Sequence, residues 1–192
     1  MIKLDILAVG RLEKDEQGMV VVADSTCTLI NTNDGIIVVD PSTDYMRPMI
    51  RKSFRQIGVY PKDVKHIVLT HSHSDHVGNL DLFQKAKVYI HSGEEKEIPG
   101  AKVIEEDEFQ LVPGVRLIHT PGHTKGSMSV FVEAEKRYVI AGDAIPTENN
   151  FRKMTPPASN YDPETALQSI KMIKRYADVV IPGHGRPFMT NM

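Results

Sequence analysis

Short apolar runs bounded by turn residues recur from the N-terminus onward. Ile2–Val9, Met19–Ala23, Thr26–Asn31 and Ile36–Asp40 are rich in Val and Ile and read as strands, with Asn33-Asp34-Gly35 as a turn between the last two. The period then changes. Met46, Ile50, Phe54 and Ile57 recur at helical spacing, which predicts a helix over Asp44–Ile57 with Pro48 in its first turn and Gly58 just past its end. A buried-type strand His66–Thr70, a short helix around Asn79–Gln84 and a strand Lys87–His91 follow. Ser92–Glu108 carries seven acidic residues against two lysines and reads as a solvated excursion. Val115–Thr120, Ser127–Glu133 and Arg137–Ala141 read as three more strands. Asp162-Pro163-Glu164 is a helix start: a capping carboxylate, a proline at the first position and an acid in the first turn. Ala166, Leu167, Ile170 and Ile173 give that helix an apolar face, and Ala177–Ile181 is a last strand. Strands interleaved with helices, with no linker-like shift in composition, predict one layered α/β or α+β domain over residues 1–192.

Composition narrows the function classes. At 192 residues, 41% hydrophobic and 25% charged, the chain is globular rather than disordered. A net charge of −2 offers no basic excess for nucleic acid. No N-terminal apolar core suits a signal peptide and no run suits a membrane span, so a cytoplasmic protein without a membrane partner is expected. The single cysteine, Cys27, excludes an intrachain disulfide and a Cys-rich zinc finger; inside a strand it reads as a small buried hydrophobe. Arg47, Arg51, Lys52 and Arg55 read as the solvated face of their helix.

Histidine changes the picture. Of eight, three fall within six residues, in His71-Ser72-His73-Ser74-Asp75-His76. At this composition such an H-x-H-x-D-H run arises by chance roughly once in a thousand sequences, by counting template matches. After a strand ending at Thr70, His71 and His73 point the same way from an extended backbone and can grip one ion. A helical turn then swings Asp75 and His76 aside, toward a second ion. Further ligands stand on turns after strands: His123 in Thr120-Pro121-Gly122-His123-Thr124, Asp143 in Ala141-Gly142-Asp143, and His184 in Pro182-Gly183-His184-Gly185. Small neighbours suit a crowded site. If Ser127–Glu133 and Arg137–Ala141 form a hairpin, His123 and Asp143 return to one sheet edge.

These motifs, in this order, resemble the metallo-β-lactamase-fold hydrolase superfamily over essentially the whole chain. Thr70–Leu80, Ala141-Gly142-Asp143 and Val180–Gly185 resemble in wording the group of metallo-β-lactamase domain-containing protein 1. The resemblance implies a four-layer αββα sandwich with the active site at the sheet edge. It implies one site of His71, His73 and His123, a second of Asp75, His76 and His184, and Asp143 bridging two divalent ions. His66, His91 and His119 are expected to be bystanders. Asp40, at a strand end, is expected to orient a ligand histidine.

Two ions held by such a set would supply an activated hydroxide as nucleophile and would stabilise the developing oxyanion, so no Ser or Cys nucleophile is expected. Asp75 is the expected catalytic residue, orienting that hydroxide and handling its proton. Zinc suits an imidazole- and carboxylate-rich set, with iron and manganese as alternatives. The leading expectation is a metal-dependent hydrolase of a small-molecule ester, thioester or lactone. A phosphodiesterase or ribonuclease is the alternative, disfavoured by the acidic balance; a metal-binding protein without turnover is a further one. A sulfur dioxygenase would need a single iron, against the full second set. True β-lactamases are disfavoured because Cys27 lies far from the motifs and Asp143 is present. The few residues after His184 leave no expected thiol-binding helical domain of the glyoxalase II type, nor a flavin domain. Specificity is expected in Ile145–Tyr161, with Asn149, Asn150, Phe151, Arg152 and Lys153, as a roof over the site.

Overall fold

The computed structural model describes residues 1–191. Its elements run β1 (Lys3–Ala8), β2 (Arg11–Lys14), β3 (Val20–Asp24), β4 (Cys27–Thr32), β5 (Gly35–Val39), α1 (Arg47–Ile57), β6 (Val64–Val68), α2 (Ser74–Val77), β7 (Lys87–His91), β8 (Lys102–Ile104), β9 (Glu108–Val112), β10 (Val115–His119), β11 (Met128–Glu133), β12 (Arg137–Gly142), α3 (Glu148–Lys153), α4 (Pro163–Tyr176), β13 (Val179–Pro182) and β14 (Phe188–Met189). One six-stranded sheet has the order β1-β4-β5-β6-β7-β8 and the other β14-β13-β12-β11-β10-β9; β2 and β3 form a separate ribbon.

Alternation along the strands builds four layers. In β5, Ile37 and Val39 point into the core between the sheets, while Ile36 and Val38 face α1. In the other sheet Val115, Leu117, Met128, Val130 and Val132 enter the same inter-sheet core. On its far face Phe131, Val139 and Val180 meet Ile170 and Ile173 of α4. Helix, sheet, sheet and helix are thus stacked as the αββα expectation required. Each fully buried aliphatic side chain contributes about 1.5–3 kcal/mol of transfer free energy.

The helix boundaries follow the predicted chemistry. Pro48 lies in the first turn of α1, and Gly58 closes it in a left-handed conformation, φ 69°. Asp162 caps α4, accepting from Glu164 N and Thr165 N.

Strand direction explains where the site lies. β5, β6 and β7 are mutually parallel. β10 and β12 both run antiparallel to β11, and β13 is parallel to β12. Segments that follow the C-terminal ends of β5, β6, β10, β12 and β13 are therefore brought to one edge. There the sheets are tied by Met128 N donating to Thr70 O at 2.8 Å.

Several elements differ from the pattern-based reading. The strand expected at His66–Thr70 begins two residues earlier, at Val64. Within the acidic stretch, β8 adds a sheet edge with Ile104 fully buried. β2 and α3 carry mostly polar and charged residues and present no apolar period to read. Among the described residues, no helix is long and apolar enough to cross a membrane.

Candidate metal centre

Seven side chains converge at the sheet edge, all from segments that follow strand ends. His71 and His73 leave the end of β6, and α2 then turns Asp75 and His76 inward. His123, Asp143 and His184 come from the turns after β10, β12 and β13. In the first cluster His73 Nδ1 lies 3.1 Å from His71 Nε2 and 3.0 Å from His123 Nε2. In the second, Asp75 Oδ2 lies 3.6 Å from His76 Nε2 and 3.5 Å from His184 Nε2. Within each cluster the ligand atoms lie within 4.8 Å of one another, and the same holds for His71, His76 and Asp143. Asp143 faces both clusters: Oδ2 is 3.6 Å from His123 Nε2, and Oδ1 is 3.5 Å from His76 Nε2 and 3.2 Å from His184 Nε2.

Four of the five histidines are aimed from behind. His76 Nδ1 donates to Asp40 Oδ2 at 2.8 Å, as the sequence suggested for Asp40. His71 Nδ1 donates to Thr70 Oγ1 at 3.1 Å, and that hydroxyl donates to Asp40 Oδ2 at 2.7 Å. His123 Nδ1 donates to Ser159 O at 2.7 Å, and His184 Nδ1 to Asp24 O at 2.9 Å. In each ring the other nitrogen is left facing the centre, the arrangement that fixes a metal-ligating tautomer.

Tight packing makes this geometry specific. A Cβ on Gly183 would sit 2.0 Å from Asp143 Oδ1. Gly142 has φ 51°, and a Cβ there would sit 2.4 Å from Thr70 Oγ1. Thr26 Oγ1 donates to Gly185 O at 2.8 Å and Thr26 N to Gly183 O at 2.7 Å, pinning the His184 turn to the start of β4.

The donor set fits cations. His76 Nε2 and Asp143 Oδ1 are buried without a hydrogen-bond partner. Each such orphan costs about 1–3 kcal/mol, and a cation between them would satisfy both. Electrostatics agree. Burial, reinforced by neighbouring imidazoles, holds His71 well below the usual histidine range, so it is neutral and has a lone pair to give. Burial, with His123, lowers His73 too. For His76, burial works against the charged form, but the Asp40 and Asp143 carboxylates outweigh it and hold the ring well above its ordinary value. Asp143 is pushed up by burial but pulled down further by His184 and His76. Positive charge is thus favoured where a metal would supply it.

The other histidines stand outside. His66 meets Tyr89 Oη at 3.1 Å, and His91 and His119 stack on each other with centroids 4.0 Å apart. The Ile145–Tyr161 stretch divides. Its first part forms α3, where Phe151 is buried in the core and Arg152 is committed to Glu148, Met189 O and Thr190 O. Its later part, Pro157–Ser159, walls a cavity of about 180 Å³ above His73, Asp75, Asp143 and His184, together with Leu12 and Val20 of the ribbon. The ribbon's contribution, and the roles of Asp24, Thr26 and Ser159, carried no motif: backbone carbonyls and isolated apolar residues look alike in any sequence.

The Metallo-beta-lactamase superfamily profile matches residues 20–184. A protein of Methanocaldococcus jannaschii described as a probable metallo-hydrolase is 38% identical over 148 residues, 77% of this chain and 70% of its own length. Metallo-beta-lactamase domain-containing protein 1 of Xenopus laevis is 33% identical over 91% of this chain and 76% of its own. The N-acyl homoserine lactonase AiiA of Bacillus thuringiensis subsp. kurstaki is 33% identical over 68% of this chain, which spans 59% of that relative's length. Among solved structures, a Thermotoga maritima protein of the metallo-beta-lactamase type superposes at a TM-score of 0.81 with 20% identity, over 98% of this chain and 99% of the other. The Bacillus thuringiensis AiiA structure with N-decanoyl-L-homoserine at its active site superposes at 0.77 with 25% identity, over 95% and 92%.

Proposed function

This chain belongs to the metallo-beta-lactamase superfamily and is a metal-dependent hydrolase, and we propose that it opens an ester, thioester or lactone of a small-molecule acyl compound. One observation carries the reading: the Asp143 carboxylate, buried between the two clusters, has an oxygen toward each and one of them unpartnered. We assign His71, His73 and His123 to one divalent ion, Asp75, His76 and His184 to a second, and Asp143 to both. Five imidazoles and two carboxylates suit zinc, with iron and manganese able to use the same set.

When bound, such ions supply an acidified water as nucleophile and an electrophilic contact for the carbonyl oxygen. The protein's own groups do the rest. Asp75 Oδ2 faces His76 and His184, which leaves Oδ1 to accept the proton of the attacking water. Proton transfer by a placed group is worth about 10²–10⁴ in rate. Leu12, Val20, Pro146 and Pro157 give the cavity apolar walls, suited to an acyl chain and to excluding bulk water. The AiiA relatives support the choice of bond, since the named substrate class of those proteins is an acyl lactone.

Metal analysis with a chromogenic panel tests the reading. A lactone, a carboxylic ester, a thioester and a phosphodiester are assayed with wild type and Asp143→Ala. Chelator-sensitive turnover of one of the first three, reduced at least about 100-fold by the substitution, is expected. Exclusive phosphodiester cleavage would overturn the assignment of substrate, and a chain that binds two ions but turns over nothing would overturn catalysis.

A further inference from the structure

One acid in the stretch that the sequence assigned to solvent is half-buried and bonded through both carboxylate oxygens. Glu94 reaches from the loop after β7 into the gap between two other loops. Its Oε2 accepts from Ser72 N at 2.8 Å and from Ser72 Oγ at 2.7 Å. Its Oε1 accepts from Thr124 Oγ1, whose neighbour Ser127 Oγ lies 2.7 Å away. Ser72 is buried between the ligand histidines His71 and His73, and Thr124 directly follows His123.

The loop backbones are interlocked beneath this contact. A Cβ on Gly126 would lie 2.4 Å from Glu94 N, and one on Gly93 would lie 2.9 Å from Gly126 Cα. The Glu94 backbone is therefore held close to the 123–127 turn by the bare backbone of two glycines. Its side chain then closes the remaining distance to the 71–73 turn. His71 and His73 come from one sheet and His123 from the other; the Met128 N–Thr70 O bond ties the strand ends behind them, and Glu94 is a side-chain tie between the two turns themselves.

We propose that Glu94 is the positioning residue of the three-histidine site: a carboxylate strut that sets the distance between the His71–His73 turn and the His123 turn. The inference rests on the assignment of those three histidines to one ion. Glu94 touches none of the three rings. It acts by holding the two backbones from which they project, so its loss loosens one site and spares Asp75, His76 and His184. Glutamine can replace it in part. Its carbonyl oxygen can keep both Ser72 bonds, while its amide donates to Thr124 Oγ1, which turns its own proton to Ser127.

Cobalt(II) titration against a competing chelator resolves the two sites and tests the strut. Wild type is expected to load two ions. Glu94→Ala is expected to weaken one of the two steps by about 10–100-fold, the usual effect of losing a group that orients ligands, with the other step within about threefold. Glu94→Gln is expected to restore most of that loss. Thr124→Val, which removes one end of the strut and leaves the Ser72 end, is expected to weaken the same step to a smaller degree and serves as the second variant if Glu94→Ala does not fold. The unfolding midpoint of the metal-free proteins, read in parallel, separates a loosened site from a loosened fold. Equal loading of both sites by wild type, Glu94→Ala and Thr124→Val overturns this inference alone. A wild-type chain that takes up no metal overturns the assignment of the histidines as well.

Discussion

The Asp40 carboxylate lies 2.8 Å from His76 Nδ1 and accepts from Thr70 Oγ1 through the same oxygen, Oδ2, at 2.7 Å. Its other oxygen accepts from Thr70 N at 2.8 Å. Because Thr70 in turn receives His71 Nδ1, one buried carboxylate aims a histidine in each cluster. Asp40 also holds a left-handed backbone, φ 50°, a conformation that aspartate tolerates better than most residues. Asp40→Ala is expected to lower metal affinity about 10–100-fold and to destabilise the fold by about 3–5 kcal/mol, since it strips a partner from a buried charged ring. Asp40→Asn keeps an acceptor and should lose less of both. Chelator competition and urea unfolding of the same two variants check this; equal affinity in all three proteins would remove Asp40 from the assembly.

Metal uptake should depend on pH with a definite sign. In the metal-free protein the His76 ring is held charged well above its ordinary value of 6.5, because Asp40 and Asp143 outweigh the cost of burial. His184 is raised in the same direction: burial opposes the charge, and Asp143 outweighs it. A cation must displace those protons, so loading releases protons and affinity falls as pH drops below the raised values. Each displaced proton makes affinity about tenfold weaker per pH unit in that range. The stability of the metal-free protein runs the other way on the histidine side. A group raised on folding stabilises fully below its unfolded value near 6.5, and this contribution is lost as pH rises through the folded value. Asp143, lowered on folding from 3.8, adds stability that is lost only as pH falls through its depressed value. Proton release measured by calorimetry in two buffers of different ionisation enthalpy, together with urea unfolding of metal-free protein from pH 5 to 9, tests both signs. Uptake without proton release at pH 6–7 would contradict them.

How much of this was legible in the sequence follows from how each feature is encoded. The seven converging side chains stood out because their spacing is local or sits on Gly/Pro turns. His71 to His76 share one strand-to-helix transition, and the hairpin of β11 and β12 returns Asp143 to the edge where His123 already stands. The layers were legible because Ile36 to Val39 and Met128 to Val132 alternate across buried sheets. The groups that aim these side chains are largely invisible in the sequence. Ser159 and Asp24 act on His123 and His184 through carbonyl oxygens, which every residue has. Glu94 is hidden by composition, being one acid in a run of seven. The β2–β3 ribbon, which brings Leu12 and Val20 to the cavity, was half read: β3 has a Val run, but Arg11-Leu12-Glu13-Lys14 shows no period. Only position along the chain marks Asn149 to Lys153 as a specificity loop, and in the structure Phe151 and Arg152 anchor α3 instead.

The lone cysteine gives a last prediction, one that separates burial from chemistry. Cys27 is fully buried at the start of β4, packed in the cluster that includes Leu29, Val38 and Phe54. Burial, with the nearby Asp40 charge, pushes its thiol well above the ordinary range, so almost no thiolate forms at neutral pH, and the thiolate is the reactive species. It follows that a thiol reagent such as dithiobis-nitrobenzoate should leave the native protein unlabelled and modify one thiol per chain once urea unfolds it. Cys27→Ala removes a sulfur from a packed site and should cost about 1 kcal/mol, near the low end of core truncations. The same variant should bind metal with unchanged stoichiometry, because Cys27 is in none of the clusters of converging ligand atoms. Labelling of the native protein within minutes would show that β4 opens far more readily than a strand between β1 and β5 should, and loss of metal from Cys27→Ala would place a thiolate where the structure has only imidazole and carboxylate.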